Sequence, residues 1–570
     1  MIIQPIIDLV AIVAKSGIHQ AILSPGSRCA PLTLAFARHK DIHCRTISDE
    51  RSAAFIALGM AQQLDKAVVL VCTSGSAALN YAPAVAEAYF QQVPLLIITA
   101  DRPKEWIDQW DGQTIRQENI YGNHVKGSFN FPDEFSHPDK VWHAHRISNE
   151  AIKLAQTYPY GPVHINIPLR EPFYPTKEEQ YDYEQPHILY SEITGITVLT
   201  EDDKIKLKHA LSSFKKILIV PGQHKPDDLL KSLLDQAIDG DQGVLVADGI
   251  SNMSSINSIT YHDHFLPYHA SHETYKPDLI ISFGKSIISK SLKRFLRNSG
   301  AEHWHIQENG YLPDTYQSLA IHIKTHPIDF FNFFIKNATA IDVNFKDSWT
   351  LADQKVADNI GEILKQVDFG EYKSFYKILP HLPSSSKLHL SNSMGVRYYN
   401  FLGAKSPTYE VICNRGTSGI DGSNSTAVGC AFTTKDPITL ITGDMAFFYD
   451  RNAFWHNYSM PNLRIIIMNN HAGGIFRLIE GPSDQPELEE FFETRQALDA
   501  EHLCRELGFK YFRAENEQTL DEVMKIFFHK SVHPQILEVF SDSKANAEIF
   551  QRVKSDIKNL LTDSSQNYSL

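Results

Sequence analysis

Short apolar, β-branched runs recur along the chain, and each stops at Gly, Ser, Asp or Asn before a stretch of helical spacing begins. One group holds "KAVVLVCTSGSAALN" from Lys66, "VPLLIITADRP" from Val93 and "GPVHINIP" from Gly161. A second holds "KKILIVPG" from Lys215, "GVLVADG" from Gly243 and "DLIISFGKS" from Asp278. A third holds "YEVICNRGTSGIDG" from Tyr409, "PITLITGD" from Pro437, "LRIIIMNN" from Leu463 and "PQILEVF" from Pro534. Strands alternating with helices imply parallel sheets covered by helices. The pattern predicts an α/β chain of three doubly wound domains with mainly parallel sheets, over residues 1–180, 190–340 and 375–570. The Pro- and Glu-rich "REPFYPTKEEQYDYEQP" from Arg170 reads as the first linker, and a charged, helix-like stretch around 345–380, closed by "PHLPSSSK", as the second.

Charge narrows the partners. With 54 basic against 67 acidic side chains the net charge is −13, which argues against nonspecific binding of nucleic acid or an anionic membrane by the whole surface. A basic site must therefore be local. The six cysteines, at 29, 44, 72, 413, 430 and 504, have no paired metal-ligand spacing and read as reduced thiols of a cytoplasmic protein. "MIIQPIIDLVAIVAKSG" is interrupted by Asp8 and lacks a cationic leader, so it reads as an amphipathic helix rather than a signal peptide. No run has the length and apolarity of a membrane span.

The chemistry concentrates where two apolar runs end, at Asp444 and at Asn469–Asn470. A strand–helix–strand unit places both carboxyl ends on one sheet edge, so Asp444 and Asn470 become neighbours. A carboxylate, a carboxamide oxygen and a backbone carbonyl from the glycine-containing turn that follows form a hard-oxygen set suited to Mg²⁺. The helix beginning at Asp444 would present N–H groups to a phosphate at the same edge. Equally, Asp444 can be a helix cap and the asparagines a turn, and these residues alone leave both readings open.

A Gly-Asp pair followed by paired asparagines resembles the signature of thiamine diphosphate enzymes. That resemblance implies Asp444, Asn470 and the carbonyl of Ala472 as ligands of Mg²⁺, or of Mn²⁺, on the cofactor's diphosphate. Met445 and Ala446 depart from the usual pattern, and Ala446 removes a frequent hydroxyl. Glu50, where an apolar strand gives way to a helix in "CRTISDERSAAF", looks like the catalytic glutamate that hydrogen-bonds the aminopyrimidine; alone it would read as a first-turn helix acid. Residues 1–180 would then be the pyrimidine-binding domain, 190–340 a Rossmann-like scaffold without a G-x-G-x-x-G fingerprint, and 375–570 the diphosphate and Mg²⁺ domain.

"SPGSRCAPLTLA" from Ser24, "TADRPKEWID" from Thr99, "GQTIRQ" from Gly112, "NSMGVR" from Asn392 and "NRGTSGIDG" from Asn414 together resemble the 2-succinyl-5-enolpyruvyl-6-hydroxy-3-cyclohexene-1-carboxylate synthase family of menaquinone biosynthesis. The resemblance implies decarboxylation of 2-oxoglutarate and conjugate addition of the succinyl carbanion to isochorismate. Another thiamine-dependent 2-oxoacid decarboxylase or carboligase is the nearest alternative. Two dicarboxylates in one cleft of an acidic protein demand a local cluster of cations. The family motifs place Arg28, Arg102, Lys290, Arg397 and Arg415 there, with Ser27, Gln113 and Ser393 as neutral donors. Arg28 and Gln113 would face isochorismate, Ser393 and Arg397 the succinyl group; the carboxylates held by Arg102 and Arg415 stay unassigned. Lys285 and Lys293 remain alternatives to Lys290. Ile420 would be the wedge under the cofactor and Phe476 a border of the substrate pocket, though both residue types also suit a core. Because Glu50 and Asp444 fall in different domains, the resemblance implies a homodimer or homotetramer with interfacial sites.

Overall fold

The computed structural model describes residues 3–562 apart from 177, 194, 196 and 270. It contains three sheets in which every described strand pairing is parallel. The first has six strands, Gln20–Leu23, His43–Thr46, Val68–Cys72, Leu95–Asp101, Ser128–Asn130 and Pro162–Pro168, in the spatial order second, first, third, fourth, sixth, fifth. The third, built from Lys387–Leu390, Glu410–Ile412, Ile438–Gly443, Leu463–Asn469, Lys510–Ala514 and Gln535–Phe540, repeats that order. The central sheet has five strands between Ile217 and Ile323. Val68–Cys72, Leu95–Asp101 and Pro162–Pro168 are buried along their whole length, as sheets covered on both faces require.

The first and third domains share one hydrophobic core. Its centre is the contact between helices Glu50–Leu64 and Ser423–Ala431, where glycines let the backbones meet: a Cβ on Gly59 would lie 2.1 Å from the Thr426 carbonyl oxygen, and one on Gly429 2.0 Å from that of Ile56. A second core joins the central domain to the third.

Two expectations need correction. The stretch around 345–380 is not a linker. It forms helix Val343–Lys365, which buries Phe345, Trp349, Val356 and Leu364 against the central domain, and helix Glu371–Ile378, which enters the third domain. Most of its charges face outward, although Asp353, Glu371 and Lys373 are buried, so its composition hides the part that packs inside. The N-terminal helix Gln4–Lys15 is buried almost all round rather than amphipathic, and its Asp8 pairs inside with His145 Nε2 at 2.8 Å. Among the described residues no helix is long and apolar enough to cross a membrane.

Candidate functional site

In the third sheet, strand Ile438–Gly443 runs directly into helix Asp444–Tyr449, and its neighbour Leu463–Asn469 ends beside it, with Gly443 in register with Met468. Asp444 and Asn470 thus meet at one edge. They line a cavity of about 450 Å³ together with Ser393, Arg397, Arg415, Ile420, Met445, Ala472, Phe476 and Glu371.

The two asparagines do different work. Asn469 is fully buried; its Nδ2 donates to Glu538 Oε1 at 2.7 Å and to the Leu498 carbonyl at 3.0 Å, while its Oδ1 accepts from His471 N at 3.0 Å. It ties the strand end to its surroundings. Asn470 faces the cavity, and its Oδ1 accepts from Ala472 N at 2.9 Å across a turn in which His471 takes a φ of 58°. Its Nδ2 donates to Glu371 Oε1 at 2.6 Å. Asp444, 2% exposed, accepts from Gln496 Nε2 at 2.7 Å, and burial pushes its carboxyl up to about 6 despite that bond. Glu371 is pushed up to about 7, first by burial.

Across the cavity the cations gather. Strand Lys387–Leu390 passes through Ser393, held at φ 74° and ψ −131°, into helix Met394–Phe401. A non-glycine residue in that region is strained and is typical of a functional turn. Arg397, one turn further, bonds back to the Ser393 carbonyl oxygen. Arg415 donates from Nη1 to Asn392 Oδ1 at 2.7 Å, and its buried Nε has no partner among the described residues. Asn392 in turn donates to the carbonyls of Asn414 and Gly419, both at 2.7 Å, and so fixes the loop carrying Arg415 and Ile420. The same loop is gripped from the first domain: the buried carboxylate of Glu87 accepts from Gly416 N at 2.8 Å and from Thr417 N at 2.6 Å. Burial and Arg415 lower the Arg397 pKa. Ile420 is 36% exposed, an apolar side chain presented to the cavity rather than to a core.

Lys290 is not in this cluster. It is exposed in the first turn of helix Lys290–Arg297. Half-buried Lys293, one turn on, is the lysine that feels Arg415, Arg397 and Asp248, and burial together with Arg415 lowers its pKa. Lys285 points elsewhere, to the carbonyl of Gln91. Three lysines follow one strand, and only packing selects among them.

The first-domain residues gather at the corresponding edge of their own sheet. Ser27 is exposed in the turn after Gln20–Leu23, and Arg28 beside it is buried, donating to the Leu169 carbonyl at 2.6 Å with its guanidinium 4.9 Å from the Phe173 ring. Arg102 follows Leu95–Asp101, donates to the Gly112 carbonyl at 2.8 Å and pairs with Asp111 at 3.3 Å. Gln113 sits exposed at φ 56° against the turn at Gly75. Glu50 opens helix Glu50–Leu64, whose cap is Asp49, and is half-buried with Asn80 Nδ2 at 3.4 Å. None of these five residues lines the cavity around Asp444, all of whose walls come from residues 371–494.

The donors at the Asp444 edge are all oxygens: one carboxylate, one carboxamide and the carbonyl of Ala472. Among the described residues no group of three His, Cys, Asp or Glu side chains could hold a metal. Such a set suits a hard cation that completes its shell with water or phosphate oxygens. Glu371, Asn392 and Gln496 are the site residues that sequence motifs did not assign; Asn392 lay inside a quoted motif, whereas Glu371 lay in the supposed linker.

Comparison with known proteins fits this geometry. Residues 8–121 match the family described as thiamine pyrophosphate enzyme, N-terminal TPP binding domain, and residues 393–539 match its C-terminal TPP binding domain. The chain is a thiamine diphosphate enzyme. A relative from Cytophaga hutchinsonii is 45% identical over 563 residues, spanning 97% of this chain and 99% of its own. Relatives from Flavobacterium psychrophilum and Porphyromonas gingivalis are 40% and 36% identical, spanning 95% and 94% of this chain and 96% and 94% of their own. All three are named 2-succinyl-5-enolpyruvyl-6-hydroxy-3-cyclohexene-1-carboxylate synthase, and this chain belongs to that synthase family.

Proposed function

We propose that the chain joins the succinyl unit of 2-oxoglutarate to isochorismate with release of CO₂, in menaquinone biosynthesis in the cytoplasm. The observation that carries this reading is the meeting, in one cavity, of an oxygen-only donor set with two arginines and an outward-facing isoleucine. Asp444, Asn470 Oδ1 and the Ala472 carbonyl would hold Mg²⁺, or Mn²⁺, and through it the diphosphate. When bound, thiamine diphosphate supplies the electron sink for decarboxylation and the carbon nucleophile for bond formation.

The chain's own residues bind, orient and move protons. Ile420 supports the cofactor from below. Glu50 would hydrogen-bond the ring nitrogen of the aminopyrimidine and exchange a proton with it. Arg397, Arg415 with its buried Nε, and Ser393 bind the carboxylates on the 2-oxoglutarate side, with Lys293 adding positive charge behind them. Phe476 closes the apolar wall. Ser27, Arg28, Arg102 and Gln113 bind isochorismate. Because the Asp444 cavity contains no first-domain residue, we assign its missing half to a second copy, making the active species a homodimer or a tetramer built from it.

The test is an omission series with purified protein, thiamine diphosphate, Mg²⁺, 2-oxoglutarate and isochorismate, following isochorismate absorbance and product mass. Turnover only with all components supports the synthase. Release of CO₂ without consumption of isochorismate would instead make the protein a decarboxylase of the same superfamily.

A further inference from the structure

Glu371 opens helix Glu371–Ile378 and is 5% exposed. Its backbone N–H donates to Asn546 Oδ1 at 3.0 Å, which fixes it to the C-terminal helix Ser543–Thr562. Its carboxylate reaches the cavity wall and accepts from Asn470 Nδ2 at 2.6 Å, while the opposite end of that carboxamide, Oδ1, accepts from Ala472 N at 2.9 Å. The nitrogen and oxygen ends of a carboxamide have nearly the same shape, so only its partners decide which end faces which way. An ionised carboxylate only accepts, and a protonated one still accepts at its carbonyl oxygen, the role Oε1 plays here. Beside it, the carboxamide must turn its nitrogen to Glu371 and its oxygen to the 470–472 turn, whose Ala472 lines the same cavity as Asp444.

We propose that Glu371 is a positioning residue that sets the orientation of the Asn470 carboxamide, so that a divalent cation meets Oδ1 and not the amide nitrogen. The inference rests on the reading of Asp444, Asn470 and Ala472 as the cation's oxygen set. A reversed carboxamide would aim two N–H donors at a cation. Groups that orient metal ligands from outside typically change metal affinity about 10–100-fold when removed. The segment between the second and third domains thereby supplies a part of the site.

Calorimetric binding of thiamine diphosphate at a series of Mg²⁺ concentrations tests this without any turnover. The proteins are the unmodified chain, Glu371→Gln, Asn470→Ala and the double variant. Glutamine preserves the volume but can donate as well as accept, so it permits the reversed carboxamide. The Mg²⁺ concentration needed for half-maximal binding is expected to rise roughly tenfold or more in Glu371→Gln. In the Asn470→Ala background the same replacement is expected to add nothing, an outcome that general loosening of the helix would not produce. Glu371→Asp, which withdraws the acceptor while keeping its charge, carries the same expectation if the glutamine variant does not fold. An unchanged Mg²⁺ requirement in a folded variant, or an equal effect with and without Asn470, overturns the inference. If the unmodified chain binds thiamine diphosphate with no dependence on Mg²⁺, the oxygen set itself has been misread.

Discussion

Two adjacent asparagines end the same strand, and their partners separate stability from binding. Replacing Asn469 by Ala takes the Nδ2 donor from Oε1 of the fully buried Glu538, whose Oε2 keeps Ala500 N and Tyr511 OH, and from the Leu498 carbonyl. The expected cost is about 1–3 kcal/mol, read as a lower denaturant midpoint at unchanged slope. Asp444→Ala should behave in the opposite way. It removes a buried carboxylate whose partners are the neutral Gln496 amide and the backbone N–H groups of Met445 and Asp444, so thermal unfolding of the cofactor-free protein should hold or rise, while Mg²⁺-dependent binding of thiamine diphosphate disappears. A cofactor-free Asp444→Ala protein that unfolds far earlier than its parent would show that the aspartate is a helix cap first. Glu50→Gln should lower turnover by roughly 10²–10⁴, the range for a positioned proton-transfer group, with little change in unfolding temperature. At this scale the sequence was most legible where residue type limits chemistry, as with Asp444, Asn470 and the arginines. It was least legible for Glu371, whose neighbours in the chain carry no sign of what it faces, while Lys293 was one of three lysines that the sequence could not rank.

At the scale of elements, the tightest joint is the crossing of Glu50–Leu64 with Ser423–Ala431. Gly59→Ala would push a methyl group into the Thr426 carbonyl, and backbone has no rotamer with which to yield. The prediction is a loss of at least about 1–3 kcal/mol with a shift of the first domain relative to the third, seen as a lower unfolding temperature and weaker cofactor binding. A neutral Gly59→Ala would mean the two helices can part freely. The long β-branched strands were plain in the pattern, whereas Glu302–Ile306 and Lys387–Leu390 were not. "EHWHI" reads as polar, yet it is an interior strand whose His303 Nε2 and His305 Nδ1 share one hydroxyl, Ser282 Oγ, at 2.7 and 2.9 Å. Pairing inside the fold, invisible to periodicity, makes such a strand possible. Helix Val343–Lys365 is legible as helical but not as part of a core, because its charges dominate the composition and its aromatic stripe has no visible partner in the sequence.

The whole molecule should be sensitive to acid. Burial lowers His164 and His389 to about 3 and His264, His303 and His456 to about 4, against an ordinary value of 6.5. Between pH 6.5 and 4 the unfolded chain takes up protons at these five positions and the folded chain does not, so stability falls as pH falls. Burial raises Glu371, Asp444 and Asp450 to about 7, 6 and 7, and these oppose the trend because their folded forms hold protons that the unfolded chain releases. Five groups outweigh three, so the midpoint of thermal unfolding should drop from pH 6.5 to 4.5, and His389→Gln should flatten the slope. A midpoint that climbs over that interval would mean the buried acids dominate.

The same scale decides whether the two half-sites work together, since Glu50 is absent from the walls of the cavity that holds Asp444. The direct measurement is complementation between Glu50→Gln and Asp444→Ala chains, each assayed alone and after joint refolding or co-expression, with thiamine diphosphate, Mg²⁺, 2-oxoglutarate and isochorismate. Each parent is expected to be inactive. The mixture is expected to recover up to roughly a quarter of the unmodified activity, because a mixed dimer keeps one intact pairing of the two halves. A mixture as inactive as its parents, in protein demonstrated to contain mixed dimers, would contradict a site shared between chains.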